Sequence, residues 1–270
     1  MPRPPFWPKR PSKPSSAPAY VNASRVQLRR AMERFAAETP SGSRVLDAGA
    51  GTSPYRRLFR RHHYEASDFA QLPKKYAPLD YVCDITAIPT EDDRFDRVIC
   101  NQVLEHVPEP AQAIRELYRV LKPGGLIFCS APLFYAEHQR PYDFYRYTQF
   151  ALRRLFTEAG FEIASIERLE GVFGTTAYQF QQMWLFLPRT VDDLRQLNVG
   201  GRIVYLAPFV LGTRWMAGHL RKLYSAAEVR WKYVGHGMPK NWVVIARKPN
   251  PVLDERATIR RRSADESGRS

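Results

Sequence analysis

Val45-Leu46-Asp47-Ala48-Gly49-Ala50-Gly51-Thr52-Ser53-Pro54 decides the fold. The run begins as a short apolar strand, closes on an acid and passes into a glycine-spaced turn. Gly49 and Gly51 lack the Cβ that would block so tight a bend. Ser53 is a good N-cap, and Pro54 suits the first helical position, where its missing N–H forfeits no hydrogen bond. The stretch therefore predicts strand, turn and helix, with free backbone N–H groups facing a cleft. Clefts of this kind open at the carboxyl ends of parallel strands and hold adenosine-type cofactors.

Outward from this turn, strands and helices alternate. Upstream, Asn22 to Glu38 carries Val26, Leu28, Met32 and Phe35 at helical spacing and reads as an amphipathic helix on the sheet. Strands are expected at Ser43 to Asp47, Tyr64 to Phe69, Tyr81 to Asp84, Asp96 to Asn101, Leu126 to Ser130, Phe161 to Glu167 and Trp242 to Arg247. Helices are expected at Pro54 to Arg61, Pro110 to Leu121 and from Thr148 to Ala159, the last closed by Gly160. This alternation predicts an α/β fold: a doubly wound, mostly parallel, seven-stranded, Rossmann-like sheet. Right-handed crossovers then bring every strand's carboxyl end to one rim, where the glycine turn, Asp68, Asp84 and Asn101 meet.

The 270 residues carry a net charge of +14. Part of that charge lies in two tails, residues 1–19 (basic and proline-rich) and 251–270 (Arg- and Ser-rich), both expected to be disordered. Residues 20–250 form the expected domain, with 171–241 as a helical insertion before the last strand. No apolar core of a signal peptide and no membrane-spanning run is seen, so a cytoplasmic protein is expected. Cys83, Cys100 and Cys129 stand singly in strands and read as reduced, buried thiols. No metal site is expected.

The cofactor is narrowed by what surrounds the glycines. A dinucleotide fingerprint needs a third glycine where this chain has Pro54. Asp47 would repel a pyrophosphate but suits the ammonium group of S-adenosylmethionine. Asp68, 17 residues beyond Gly51, can accept from both ribose hydroxyls. Asp84 and Ile85 offer an acid and an aliphatic face for an adenine ring.

With these residues the chain resembles the class I S-adenosylmethionine-dependent methyltransferases of the small-molecule type 11 group. The likeness rests on Asp47 to Gly51, Asp68, Asp84-Ile85, Phe95 to Ile99, Leu104-Glu105-His106-Val107 and Leu121 to Gly125, in order. The family usually has a glycine at position 53, where Ser53 stands here. The resemblance implies that Asp47, Gly49 and Gly51 line the methionine part, Asp68 the ribose and Asp84 the adenine. It places Asn101 and Gln102 near the sulfonium.

Methyl transfer is an in-line displacement in which the protein positions the acceptor and takes up a proton. Asn101-Gln102-Val103-Leu104 lacks the Pro-Pro-aromatic signature of base amine methylation, and no rim cysteine follows a proline, so nucleic acid is disfavoured despite the charge. The loop Glu137 to Thr148 is dense in polar groups. His138 is the first candidate base and His106 the second. Arg140, Tyr142, Asp143, Tyr145 and Arg146 are candidate substrate contacts. The segment resembles a His-x-x-Pro-Tyr-Asp-Phe-x-Arg-Tyr-Thr signature of methyltransferases associated with surface glycans, which implies a small-molecule, glycan or lipid-linked acceptor and O-methylation.

Two alternatives are kept. A nicotinamide-dependent oxidoreductase would use Tyr118-x-x-x-Lys122, although a Pro-Gly-Gly helix end beside Lys122 argues for coincidence. A non-catalytic adenosyl-binding scaffold would bind without turnover. The insertion, with apolar Tyr178 to Leu187 and Ile203 to Leu223 edged by arginines, is either a lid or a peripheral contact with an anionic membrane.

Overall fold

The computed structural model describes residues 22–187, 203–232, 234 and 238–250. The two expected tails lie outside the described residues. The chain divides into two compact units, one comprising residues 28–169 and 240–270, the other residues 1–27 and 170–239.

The larger unit is a seven-stranded sheet ordered β3-β2-β1-β4-β5-β7-β6. Its strands are β1 (Arg44–Ala48), β2 (His63–Asp68), β3 (Tyr81–Val82), β4 (Phe95–Asn101), β5 (Leu121–Pro132), β6 (Glu162–Arg168) and β7 (Asn241–Arg247). β1 pairs in parallel with β2 and β4, as do β2 with β3 and β4 with β5. β7 is antiparallel to both β5 and β6, so its carboxyl end lies on the opposite rim from the others. This corrects the expectation of a single rim: β7 fills a slot between two strands that run alike.

Both faces of the central strands are buried, which explains their nearly continuous apolar runs. Alternate residues face opposite ways. Leu46, Val98, Cys100, Ile127 and Cys129 pack beneath Ile114 and Leu117 of α2 (Pro110–Val120) and Leu152 and Phe156 of α3 (Gln149–Glu158). On the other face Val45, Ile99 and Phe128 meet Met32 and Phe35 of α1 (Ala23–Ala37), whose first residues belong to the smaller unit. The α3 caps stand where expected: Thr148 Oγ1 accepts from the Ala151 N–H at 3.2 Å, and Gly160 closes the end at φ 97.

The helix expected at Pro54 to Arg61 is absent. A 3-10 turn at Arg56–Phe59 replaces it, with Tyr55 rather than Ser53 at its start. Ser53 adopts φ 48, which takes the chain out of capping geometry. The pairs Arg56/Arg60 and Arg57/Arg61 would also stack like charges one turn apart in an α-helix. Phe59, fully buried, is the anchor that remains.

In the smaller unit, α4 (Val172–Phe186) packs against α5 (Ile203–Trp231). Gly174 lies against Glu228 and Gly218 against Trp184, so the helices run antiparallel and approach closely where side chains are small. Buried Glu228 accepts from the Gly171 and Gly174 N–H groups at 2.8 and 2.9 Å, placing a carboxylate on the positive end of α4. Among the described residues no helix is long and apolar enough to cross a membrane.

Candidate functional site

Strand order reverses between β1 and β4, and ligands of open α/β sheets bind in the crevice such a reversal leaves. The glycine turn leaves β1 with Gly49 at φ 79 and Gly51 at φ 54. Gly49 faces Val103 of the loop after β4, and a Cβ there would stand 2.3 Å from Val103 Cγ2. The turn therefore needs glycine for its backbone and for the close approach of that loop.

The expected free N–H groups are not free. Gly49 and Ala50 both donate to the Ser67 carbonyl, at 2.8 and 2.9 Å. Gly51 donates to Asp68 Oδ2 at 2.8 Å, and Ser53 to the Ala50 carbonyl at 2.8 Å. Locking the turn onto β2 consumes the donors that a pyrophosphate cradle would require.

Beside the turn opens a cavity of about 200 Å³. Gly49, Asp68, Asp84, Ile85, Gln102, His106 and Tyr142 line it. Asp68 takes one backbone N–H on each oxygen, from Gly51 and, at 3.1 Å, from Ala70, which leaves further acceptor positions on both. Asp84 is exposed, and its Oδ1 accepts from the Thr86 N–H and hydroxyl, leaving Oδ2 for a ligand. Cys83 is half-buried at this wall rather than buried, and burial, with nearby Asp84, pushes its thiol up to about 11.

Asp47, Gly51 and Asn101 stand behind the cavity rather than in its lining. Asp47 is 4% exposed and accepts from the Tyr64 hydroxyl. Burial raises its pKa to about 6 against the opposing Tyr64 hydrogen bond, and nearby Asp68 adds to the rise. Asn101 Oδ1 accepts from Ser130 Oγ at 2.7 Å, while Gln102 Nε2 donates to the same oxygen at 3.1 Å. That shared serine holds Gln102, at φ 57, against the cavity.

The polar loop separates into a brace and a cluster. Asp143 and Arg146 form a bidentate pair at 2.7 and 2.9 Å, and Arg146 also donates to the Tyr135 and Tyr145 carbonyls. Burial would raise Asp143, but Arg146 and the His138 N–H bring its carboxyl down to about 2. Tyr145 donates to the Pro108 carbonyl, and exposed Arg140 pairs with Glu137. Among the candidate substrate contacts only Tyr142 lines the cavity.

Of the two candidate bases, His106 faces the cavity and His138 packs edge-on behind it, ring centroids 4.7 Å apart. His106 Nδ1 meets the Tyr142 carbonyl at 2.5 Å and Nε2 meets the Gln139 amide nitrogen at 2.9 Å. A neutral ring protonated at Nδ1 satisfies both contacts. Burial lowers the pKa of each imidazole. Next to them stands Glu105, fully buried, both carboxylate oxygens without a hydrogen-bond partner. Sequence reasoning passed over Glu105 as a site residue. Its signal was an acid inside the apolar run Val103 to Val107.

Lys122 pairs with Asp96 at 2.8 Å, and the Tyr118 ring packs on Phe161, so Tyr118 and Lys122 form no reductase-type dyad.

The sheet order, the glycine turn after β1 and the acids after β2 and β3 define a Rossmann-like α/β protein with an adenosine-type crevice. The chain belongs to the methyltransferase-domain family, whose model matches residues 20–166. It is 36% identical over 134 residues to a demethylmenaquinone methyltransferase of Clavibacter sepedonicus, covering 44% of this chain and 54% of that one. It is 34% identical over 122 residues to a malonyl-acyl-carrier-protein O-methyltransferase of Enterobacter lignolyticus, covering 42% and 48%. The matches thus span about half the length of these relatives. Among solved structures it is similar to the 4+2 cyclase SpnF, at TM-score 0.50 and 26% identity over 82% of this chain and 80% of that one.

Proposed function

We propose that the chain is an S-adenosylmethionine-dependent methyltransferase of a small-molecule, glycan or lipid-linked acceptor, acting by O-methylation. The observation that carries this reading is the turn with Gly49, Ala50, Gly51 and Ser53 N–H groups all engaged beside a cavity rich in carboxylate acceptors. Such a wall suits hydroxyls, an adenine amine and a cationic donor, and it suits a pyrophosphate poorly. The absence of a Tyr118–Lys122 dyad weighs further against nicotinamide chemistry.

On this reading Asp68 holds the ribose, and Asp84 with Ile85 holds the adenine edge and face. Gly49 and Gln102 bound the methionine end. Asp47 and Gly51 act from behind, Asp47 by its charge and Gly51 by aiming Asp68; Asn101 holds Ser130 and through it Gln102. When bound, the cofactor supplies a sulfonium methyl to an in-line nucleophile. The acceptor's oxygen then lies towards His106 and Tyr142, and its proton is lost at the His106–His138 pair. Asp143, Arg146, Tyr145 and Arg140 hold the loop that carries His138 and Tyr142.

Relatives named for quinone-precursor and acyl-carrier methylation support a small or carrier-linked acceptor. The solved cyclase is a warning that this fold also hosts other chemistry. Calorimetry with S-adenosylmethionine and with NAD, followed by labelled-methyl turnover on glycan, lipid and quinone intermediates, tests the reading. Tight binding of NAD in preference to S-adenosylmethionine overturns it. Binding without turnover on any hydroxyl acceptor leaves the scaffold reading standing instead.

A further inference from the structure

We infer that Glu105, His106 and His138 together bind one divalent cation of the zinc class. One donor atom from each of the three lies within 4.8 Å of the others. Ligands about 2.1 Å from a zinc ion sit roughly 3 to 4 Å apart, so side-chain shifts on the order of 1 Å close the set.

Three observations point to a cation rather than to packing. First, a fully buried carboxyl whose two oxygens meet no donor is costly, and most buried carboxylates are paired or coordinate metal. Second, His106 directs Nδ1 to the Tyr142 carbonyl, which leaves Nε2 facing Glu105 Oε1 at 3.8 Å. A carbonyl on the far ring nitrogen is the usual outer partner of a metal-bound histidine. Third, His138 packs edge-on against His106 with its Nδ1 buried and without a hydrogen-bond partner, 3.5 Å from Asp143 Oδ2, so a second imidazole beside Glu105 has a ring nitrogen to spare. The Gln139 amide now at His106 Nε2 hangs on a flexible side chain, which Lys74 also touches at 3.3 Å, and a cation would displace it.

Two imidazoles and one carboxylate leave a coordination position open, as in hydrolytic zinc sites. His106 lines the cavity, so the open position faces the same space as Gln102 and Tyr142. There the cation would bind an acceptor oxygen and lower its pKa so that the proton leaves to solvent, taking over from the two imidazoles, which as ligands could not accept it. This last step rests on the methyl-transfer reading; the binding itself does not.

The test uses the full chain after chelator dialysis. Titration with Zn²⁺ alone, followed by calorimetry and thermal melting, is expected to give one equivalent and a raised Tm. Glu105→Gln and His138→Ala should each weaken Zn²⁺ at least 100-fold, while His63→Ala, at an exposed histidine, leaves it unchanged. Less than tenfold loss in folded Glu105→Gln and His138→Ala proteins, or no binding by the wild type, overturns the inference. If both variants fail to fold, X-ray absorption of the Zn²⁺-loaded wild type decides: scattering from two imidazoles supports the site, and its absence refutes it. A wild type that binds Zn²⁺ but not S-adenosylmethionine would keep the metal site and remove the methyl-transfer reading.

Discussion

The rim around Gly49 and the loop from Glu137 to Thr148 use polar residues in opposite ways. On the rim, Asp68 and Asp84 are only partly engaged and keep lone pairs towards the cavity. In the loop, Asp143, Arg146 and Tyr145 answer one another or nearby carbonyls. A dense polar cluster in sequence thus marks a brace, whereas sparse acids at strand ends mark acceptors with capacity to spare. Glu105 departs from both patterns, since it is buried in the apolar layer with nothing to answer it.

The sharpest break of this contrast is Gly49→Ala. A left-handed backbone and a methyl 2.3 Å from stiff Val103 should cost about 4 kcal/mol and at least 100-fold in S-adenosylmethionine affinity. Denaturant melts and calorimetry read both. Adding Val103→Ala removes the clash but leaves the strained backbone, so about half the loss should return.

Next in size is the pH dependence carried by Asp47. Its folded pKa of about 6 lies above the ordinary aspartate value of 3.8, so its stabilising contribution is whole below about pH 4 and is lost as pH rises through 6. The loss amounts to about 3 kcal/mol, the free-energy equivalent of the net rise from 3.8 to about 6. Tyr64 and Asp68 face the group and stay in place in Asp47→Asn, whose stability should lack this fall. Since the ammonium of the cofactor favours the ionised form, affinity should drop about tenfold from pH 7 to pH 5 in the wild type and stay flat in the variant. An identical profile in both proteins removes Asp47 from the site.

Asp143→Ala leaves Arg146 without its bidentate partner and should cost about 2 kcal/mol by chemical denaturation, with cofactor affinity altered less than twofold. A tenfold loss of affinity would merge loop and rim and end the contrast. The smallest change is Ser53→Gly. Ser53 holds φ 48, where glycine is at ease, so the variant should gain about 0.5 to 1 kcal/mol in a thermal melt.

Much of the rim was legible because its residues are fixed by neighbours in sequence. Gly49 and Gly51 take the positive φ their spacing demanded, and Asp68 and Asp84 line the cavity as expected. The misreadings share a cause. Donors at Gly49, Ala50 and Gly51 are engaged by Ser67 and Asp68, partners 17 or 18 residues away. Ser53 caps nothing because it takes φ 48 and the 3-10 turn that follows starts from Tyr55. The order of His138 and His106 as bases is likewise not legible locally, since only the packing puts His106 at the cavity and His138 behind it.

The sequence by itself determined the alternation of strands and helices, the glycine turn, the acids at the strand ends and the Thr148 and Gly160 caps. Those features depend on period and on backbone preferences within a few residues. The tertiary structure decided the antiparallel slot of β7, the engagement of the turn's donors, the self-pairing of Asp143 with Arg146, and the meeting of Glu105, His106 and His138. Each depends on which side chains distant in sequence share one low-dielectric space, and local pattern carries no record of that.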